Sequence, residues 1–213
     1  QIIEDMNAGH AIGGSPVGTQ VAYWHLDETQ GTTANDISPN ANSLTLSAAS
    51  WTTSGKFTSA WNGTGALWLS RADDADFDFA AADDFSISLW FKSDSATNPG
   101  AIEYIFNKAS ATIAGYAVYA NTSGNIVFGI DDDTTWTPDD TVTSTSDIYD
   151  ATWHHILAVK TGTSKIELYV DGRLDATDSS LAATGTLANA LTMYAGDRDG
   201  TDNGDEFSGD IDE

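Results

Sequence analysis

SISLWF at 86–91 alternates Ile87, Leu89 and Phe91 with Ser86, Ser88 and Trp90, and KIELYV at 165–170 sets Ile166, Leu168 and Val170 against Glu167 and Tyr169. Side chains on a strand point alternately to its two faces, so each stretch writes one apolar face and one mixed face. Runs of this kind, rich in Val, Ile, Thr, Tyr and Trp, recur along the chain between clusters of Gly, Asn, Asp and Ser. Helical spacing is scarce. Strands are predicted over 21–26, 44–46, 66–69, 86–92, 104–108, 116–120, 126–130, 155–160, 165–170 and 191–195. Asp171-Gly172 closes the hairpin strand at 165–170 with the strongest local turn signal. About ten short strands with no helices between them predict an all-β, antiparallel sandwich or barrel rather than a parallel sheet.

The chain holds 32 Asp and Glu against 8 Lys and Arg, a formal charge of −24. Nucleic acid is excluded as a partner, because phosphates need a cationic face. Self-repulsion of this size is relieved by salt or by bound cations. Disorder would be the ordinary reading of such charge, but 7 Trp, 7 Tyr and 8 Phe demand a core. There is no cysteine, hence no disulfide and no thiolate metal site. No run of about 18 apolar residues occurs, so no membrane insertion is expected. Residues 1–19 are Gly-rich and loop-like and read as an extension or linker, with one domain over 20–213.

Several segments then carry a family likeness in order: YWHLDE at 23–28, WNGTGALWL at 61–69, FSISLWFK at 85–92, the hairpin at 151–174, and FSGDIDE at 207–213. Together they resemble a laminin-G-like, concanavalin A-like jelly-roll β-sandwich, with an organisation similar to the pentraxins. In relatives the chain runs on past an I-D-E motif. The resemblance therefore implies an unfinished final edge strand at Glu213, completed by a longer parent chain or by strand addition from a neighbouring subunit.

The densest chemistry lies in GDRDGTDNGDEFSGDIDE at 196–213. Asp197, Asp199, Asp202 and Asp205 alternate there with Gly and Asn, a mixture that suits a hard cation such as calcium, which takes six to eight oxygens. The alternative is a solvated acidic loop. In pentraxins an acidic segment after the late glycine ligates calcium, and Asp197 and Asp199 hold the matching place. KASATIAG at 108–115 departs from the partner acid and amide expected there, which leaves a single ion or none. Sandwiches of this type also hold calcium where first and last strands meet, and the resemblance puts Asp36 and Asp212 at that position. Trp136, inside DDDTTWTPDD, is a candidate platform for a sugar face or else a plug folded back on its loop.

His154 and His155 are adjacent on a strand and point to opposite faces, which argues against a shared zinc. The E-x-D-x-E strand pattern of glucanases with this fold is missing, and GDIDE lacks its first Glu. The expected function is a non-catalytic, extracellular module that binds a glycan or other surface ligand, is calcium-stabilised and belongs to a larger surface protein. A structural subunit of a cell-surface filament or layer, with self-assembly, is the alternative, and a glycoside hydrolase comes third.

Overall fold

The computed structural model describes residues 20–213, and the expected extension at 1–19 lies outside them. The strands are β1 (Thr33–Ala34), β2 (Leu44–Leu46), β3 (Trp51–Thr52), β4 (Ala60–Asn62), β5 (Leu69–Arg71), β6 (Phe85–Ser93), β7 (Glu103–Ser110), β8 (Ile113–Ala120), β9 (Ile126–Asp131), β10 (Asp140–Thr143), β11 (His154–Thr161), β12 (Lys165–Val170), β13 (Arg173–Asp178), β14 (Met193–Ala195) and β15 (Gly209–Asp212). One 3-10 turn spans Ala75–Phe77. The strands form two antiparallel sheets. An eight-stranded sheet runs β1-β2-β5-β14-β7-β8-β9-β10, and a seven-stranded sheet runs β13-β12-β11-β6-β15-β4-β3.

The alternation written in the sequence becomes the core between these layers. Phe91 stands opposite His154 and Ile211, and Leu89 opposite Ile156. Phe91, Ile156, Ile166 and Leu168 meet Ile105, Tyr116, Phe128 and Ile130 of the other sheet, all buried. Burying each such side chain contributes on the order of 1.5–3 kcal/mol. Phe85 bridges the layers, stacked on Phe79 at 4.2 Å and tilted against Tyr116 at 4.9 Å. Asp171 (φ 49°) and Gly172 (φ 77°) both take positive φ, the requirement of a two-residue hairpin turn, and so pair polar β13 with β12.

Three expectations are corrected. The run at 21–26 forms only a bridge, Trp24 with Asp36, because Leu26 turns to φ 57° and the chain leaves extended geometry. The strand expected at 66–69 begins at Leu69, after positive φ at Gly65 and Ala66. The last strand is not at an edge: β15 lies between β6 and β4 and is bonded to both.

Two lysines are buried. Lys108 Nζ meets Asp73 Oδ1 at 2.9 Å, Asp78 Oδ1 at 3.3 Å and the Asn189 carbonyl at 2.8 Å. Lys160 Nζ donates to the carbonyls of Ala81, Asp83 and Gly162. Each ammonium gathers loops that have no helix to organise them. Lys108→Met is expected to destabilise the fold by about 3 kcal/mol, because two acids and the Asn189 carbonyl lose their donor, with the partial exposure of the acids keeping the loss at the low end for a broken buried pair. Urea unfolding checks this, and a midpoint equal to wild type would refute it.

Candidate functional site

The acidic loop grows from a fixed stem. Gly196 N–H donates to the Ile105 carbonyl at 2.9 Å, Phe207 N–H to Gly196 at 3.0 Å, and Tyr104 N–H to Asp205 at 2.9 Å. The indole of Trp61, fully buried, fills the space above Gly196, where an added Cβ would stand 2.2 Å from its ring. Gly196 also has φ 84°, so a glycine is needed there on two counts.

Within this loop Asp197 is buried, and its carboxylate accepts from the N–H groups of Arg198 (2.5 Å), Asp199 (3.4 Å) and Gly200 (2.7 Å). Asp205 accepts from Arg198 Nη1 at 2.8 Å. Glu206 accepts from the N–H of Asn203 at 2.6 Å. One oxygen from each of Asp197, Asp205 and Glu206 lies within 4.8 Å of the others. Burial, with Asp197, Asp199 and Glu206 nearby, pushes Asp205 up to about 6 against the pull of Arg198. Burial also raises Asp197. An all-oxygen donor set of this kind, with Asp197 and Asp205 both raised, suits a hard cation.

Of the four loop acids singled out in the sequence, Asp197 and Asp205 converge and Asp199 and Asp202 do not. Asp199 is held by Thr201 Oγ1 and by Arg198 Nη2 at 3.2 Å. Asp202 is exposed and makes no hydrogen bond among the described residues. Glu206 joins the cluster without having been expected there.

Asp36 and Asp212 serve different segments. The Asp36 carboxylate takes four donors: Tyr23 N–H (2.8 Å), Ser38 N–H (2.8 Å), Ser38 Oγ (2.6 Å) and Asn42 N–H (2.7 Å). Burial acts to raise its pKa, but these bonds outweigh it and hold the group below the ordinary range. Asp212 is wholly buried, and its Oδ2 accepts from Lys56 N–H at 2.7 Å and Phe57 N–H at 3.1 Å. Among the described residues its buried Oδ1 has no hydrogen-bond partner. Burial, with Glu213 and Asp27 near, pushes this carboxyl up to about 7. An orphaned carboxylate oxygen in such surroundings fits a cation or a proton.

Trp136 lies beside the acidic loop. Its segment crosses the outer face of the eight-stranded sheet, where Pro138 packs on Gly129 so closely that an added Cβ would stand 3.0 Å from it. The half-buried indole donates to Tyr104 Oη at 3.2 Å, and Tyr104 packs on Tyr119 at 5.5 Å. Three aromatic rings thus adjoin the loop that contains Asp205.

The sequence model of the concanavalin A-like lectin/glucanases superfamily matches residues 69–213, about two thirds of the chain. A search of curated proteins gives no significant match. Among solved structures, the binding domain of Paraclostridial Mosquitocidal Protein 1 is similar, with TM-score 0.66 and 15% identity over 90% of this chain and 48% of that one. The binding domain of botulinum neurotoxin serotype D/C VPI 5993 gives TM-score 0.64 and 12% identity, over 91% of this chain and 46% of that one. The binding domain of botulinum neurotoxin DC in complex with SialylT gives 0.58 and 12%, over 83% and 43%. The chain spans about half the length of these domains. At such identities the likeness is one of fold.

The raised carboxyls give a pH signature. Without a bound cation, the folded chain keeps protons on Asp205 and Asp212 between the ordinary carboxyl range and their raised values of about 6 and about 7, while the unfolded chain has released them. Stability therefore falls as pH rises through that window. Melting in EDTA is expected to give a higher midpoint at about pH 5 than at about pH 7.5, and Asp212→Asn is expected to shrink the difference. A midpoint that climbs with pH over this range would contradict the assignment.

Proposed function

Because this chain belongs to the concanavalin A-like lectin/glucanase superfamily, we propose that it is a non-catalytic, extracellular module that binds a glycan or another surface ligand and is stabilised by calcium. One observation carries the reading: the Asp197, Asp205 and Glu206 oxygens converge within 4.8 Å near the half-buried rings of Trp136 and Tyr119, which rest on the buried Tyr104. Calcium takes carboxylate and carbonyl oxygens in such mixtures, while rings meet the apolar C–H face of a sugar and polar groups meet its hydroxyls. Asp212, with its orphaned oxygen, is a second position for the ion. That one of the similar binding domains is solved with SialylT supports a saccharide as ligand.

Glycoside hydrolysis is the second reading. Carboxyls this close, one of them raised to about 6, resemble the pair of a retaining glycosidase. Asp197 argues against it, since it is wholly buried and held by three backbone N–H groups, away from any substrate.

Calcium at about 100 times its Kd should stabilise the fold by about 2.7 kcal/mol, a midpoint rise on the order of 5–10 °C that EDTA reverses and Asp205→Asn reduces. A glycan array with and without chelator tests the ligand, with Trp136→Ala expected to weaken every positive signal. The calcium claim fails if the midpoint ignores both calcium and EDTA. The binding claim fails if no glycan is retained in either condition, and released sugar would favour the hydrolase.

A further inference from the structure

The chain has eight basic side chains, and seven of them hold carboxylates, carbonyls or an aromatic ring within the fold. Arg173 is the exception. Among the described residues its guanidinium makes no hydrogen bond and no ion pair, although 32 acids share the chain with it. It is exposed at the first position of β13, just past the Asp171-Gly172 turn, and lines a cleft of about 440 Å³ between the end of β10 and the β12–β13 hairpin.

The acids in this cleft are already engaged. Asp171 takes His154 Nδ1 at 2.9 Å on one oxygen and His155 N–H at 2.9 Å on the other. Asp175 takes Thr145 N–H at 2.6 Å and Thr145 Oγ1 at 2.8 Å. Neither carboxylate reaches across to Arg173, so the cleft sets a guanidinium with unused N–H donors beside carboxylates that retain acceptor capacity. Ile148 and Val170 add apolar surface, and the exposed Ser146 adds a hydroxyl.

We propose that this cleft is a second ligand site, independent of calcium, that takes a small acidic saccharide. A guanidinium grips a sugar carboxylate through two parallel N–H bonds. Asp171, Asp175 and Ser146 meet the hydroxyls, and Ile148 and Val170 meet the C–H face. The volume lies in the range of small-molecule sites. At −24 the protein repels anions in general, and Asp171 and Asp175 line the same cleft, so acid recognition here depends on Arg173, whose guanidinium is uncommitted among the described residues.

The test is a titration of the full chain in EDTA, followed by amide NMR, with sodium glucuronate, glucose and sodium sulfate as probes. Glucuronate is expected to shift amides around 144–148 and 170–175, with glucose and sulfate each weaker by about ten-fold, the worth of a charged hydrogen bond. Arg173→Gln should lose about ten-fold in glucuronate affinity and Arg173→Lys should keep part of it, both with wild-type melting. The proposal is overturned if glucose or sulfate matches glucuronate, if Arg173→Gln binds as wild type, or if glucuronate moves no amide in the cleft. Because chelator is present throughout, failure here is separate from failure of the calcium-dependent reading.

Discussion

Carboxylates accepting backbone N–H groups hold this structure together wherever the sheets do not. A sandwich of short strands leaves many loop amides outside any ladder, and a buried amide without a partner is costly. Aspartate, with its short side chain, meets them. Asp140 takes the N–H groups of Ala182 and Ala183, Asp84 that of Gly162, Asp131 those of Asp133 and Thr137, and Asp36 those of Tyr23, Ser38 and Asn42. The acidity of the chain is thus partly structural. Many of its acids fasten loops rather than merely facing solvent.

The same device explains the scarce cations. Where loop oxygens crowd with too few N–H groups to answer them, the fold inserts an ammonium, Lys108 among Asp73, Asp78 and Asn189, or Lys160 among three carbonyls. Arg198 does likewise for Asp199 and Asp205. It does not extend to Asp212 Oδ1, which no donor reaches among the described residues. Basic side chains answer this electrostatic problem in three loops, while at Asp212 burial raises the carboxyl toward keeping its proton.

What the sequence made legible follows from the range over which each signal acts. The longer strands β6 and β12, whose sequences alternate, appear where the period of two predicts them, because the apolar face that packs on the other sheet fixes their register, although Trp90 and Glu167 on the opposite face are buried as well. Strands of two to four residues, such as β3, β4 and β15, are too short to show a period and exist because neighbours pair with them. At the site, Asp197 and Asp205 stood out because they are close in sequence and rich in glycine neighbours. Tyr104 and Trp136 are 32 positions apart and meet only because the loop after β9 folds back across Gly129. Arg173 had no signal at all. Its significance is that the other seven basic residues are occupied, which no single-residue reading can express.

Core and site are mechanically one unit at Gly196. The indole of Trp61 sits between the sheets, and both Gly63 and Gly196 yield their Cβ positions to it, at 2.6 Å and 2.2 Å from the ring. The residue that ends the packed interior is therefore the residue before Asp197. The backbone that carries the first carboxylate is set by how an aromatic ring fills the core. A well-packed interior does not deform continuously, so the loop inherits a fixed starting point and direction. That rigidity is what lets Asp197, Asp205 and Glu206, drawn from the two ends of a loop with an exposed tip, keep their oxygens within 4.8 Å of one another despite like charge.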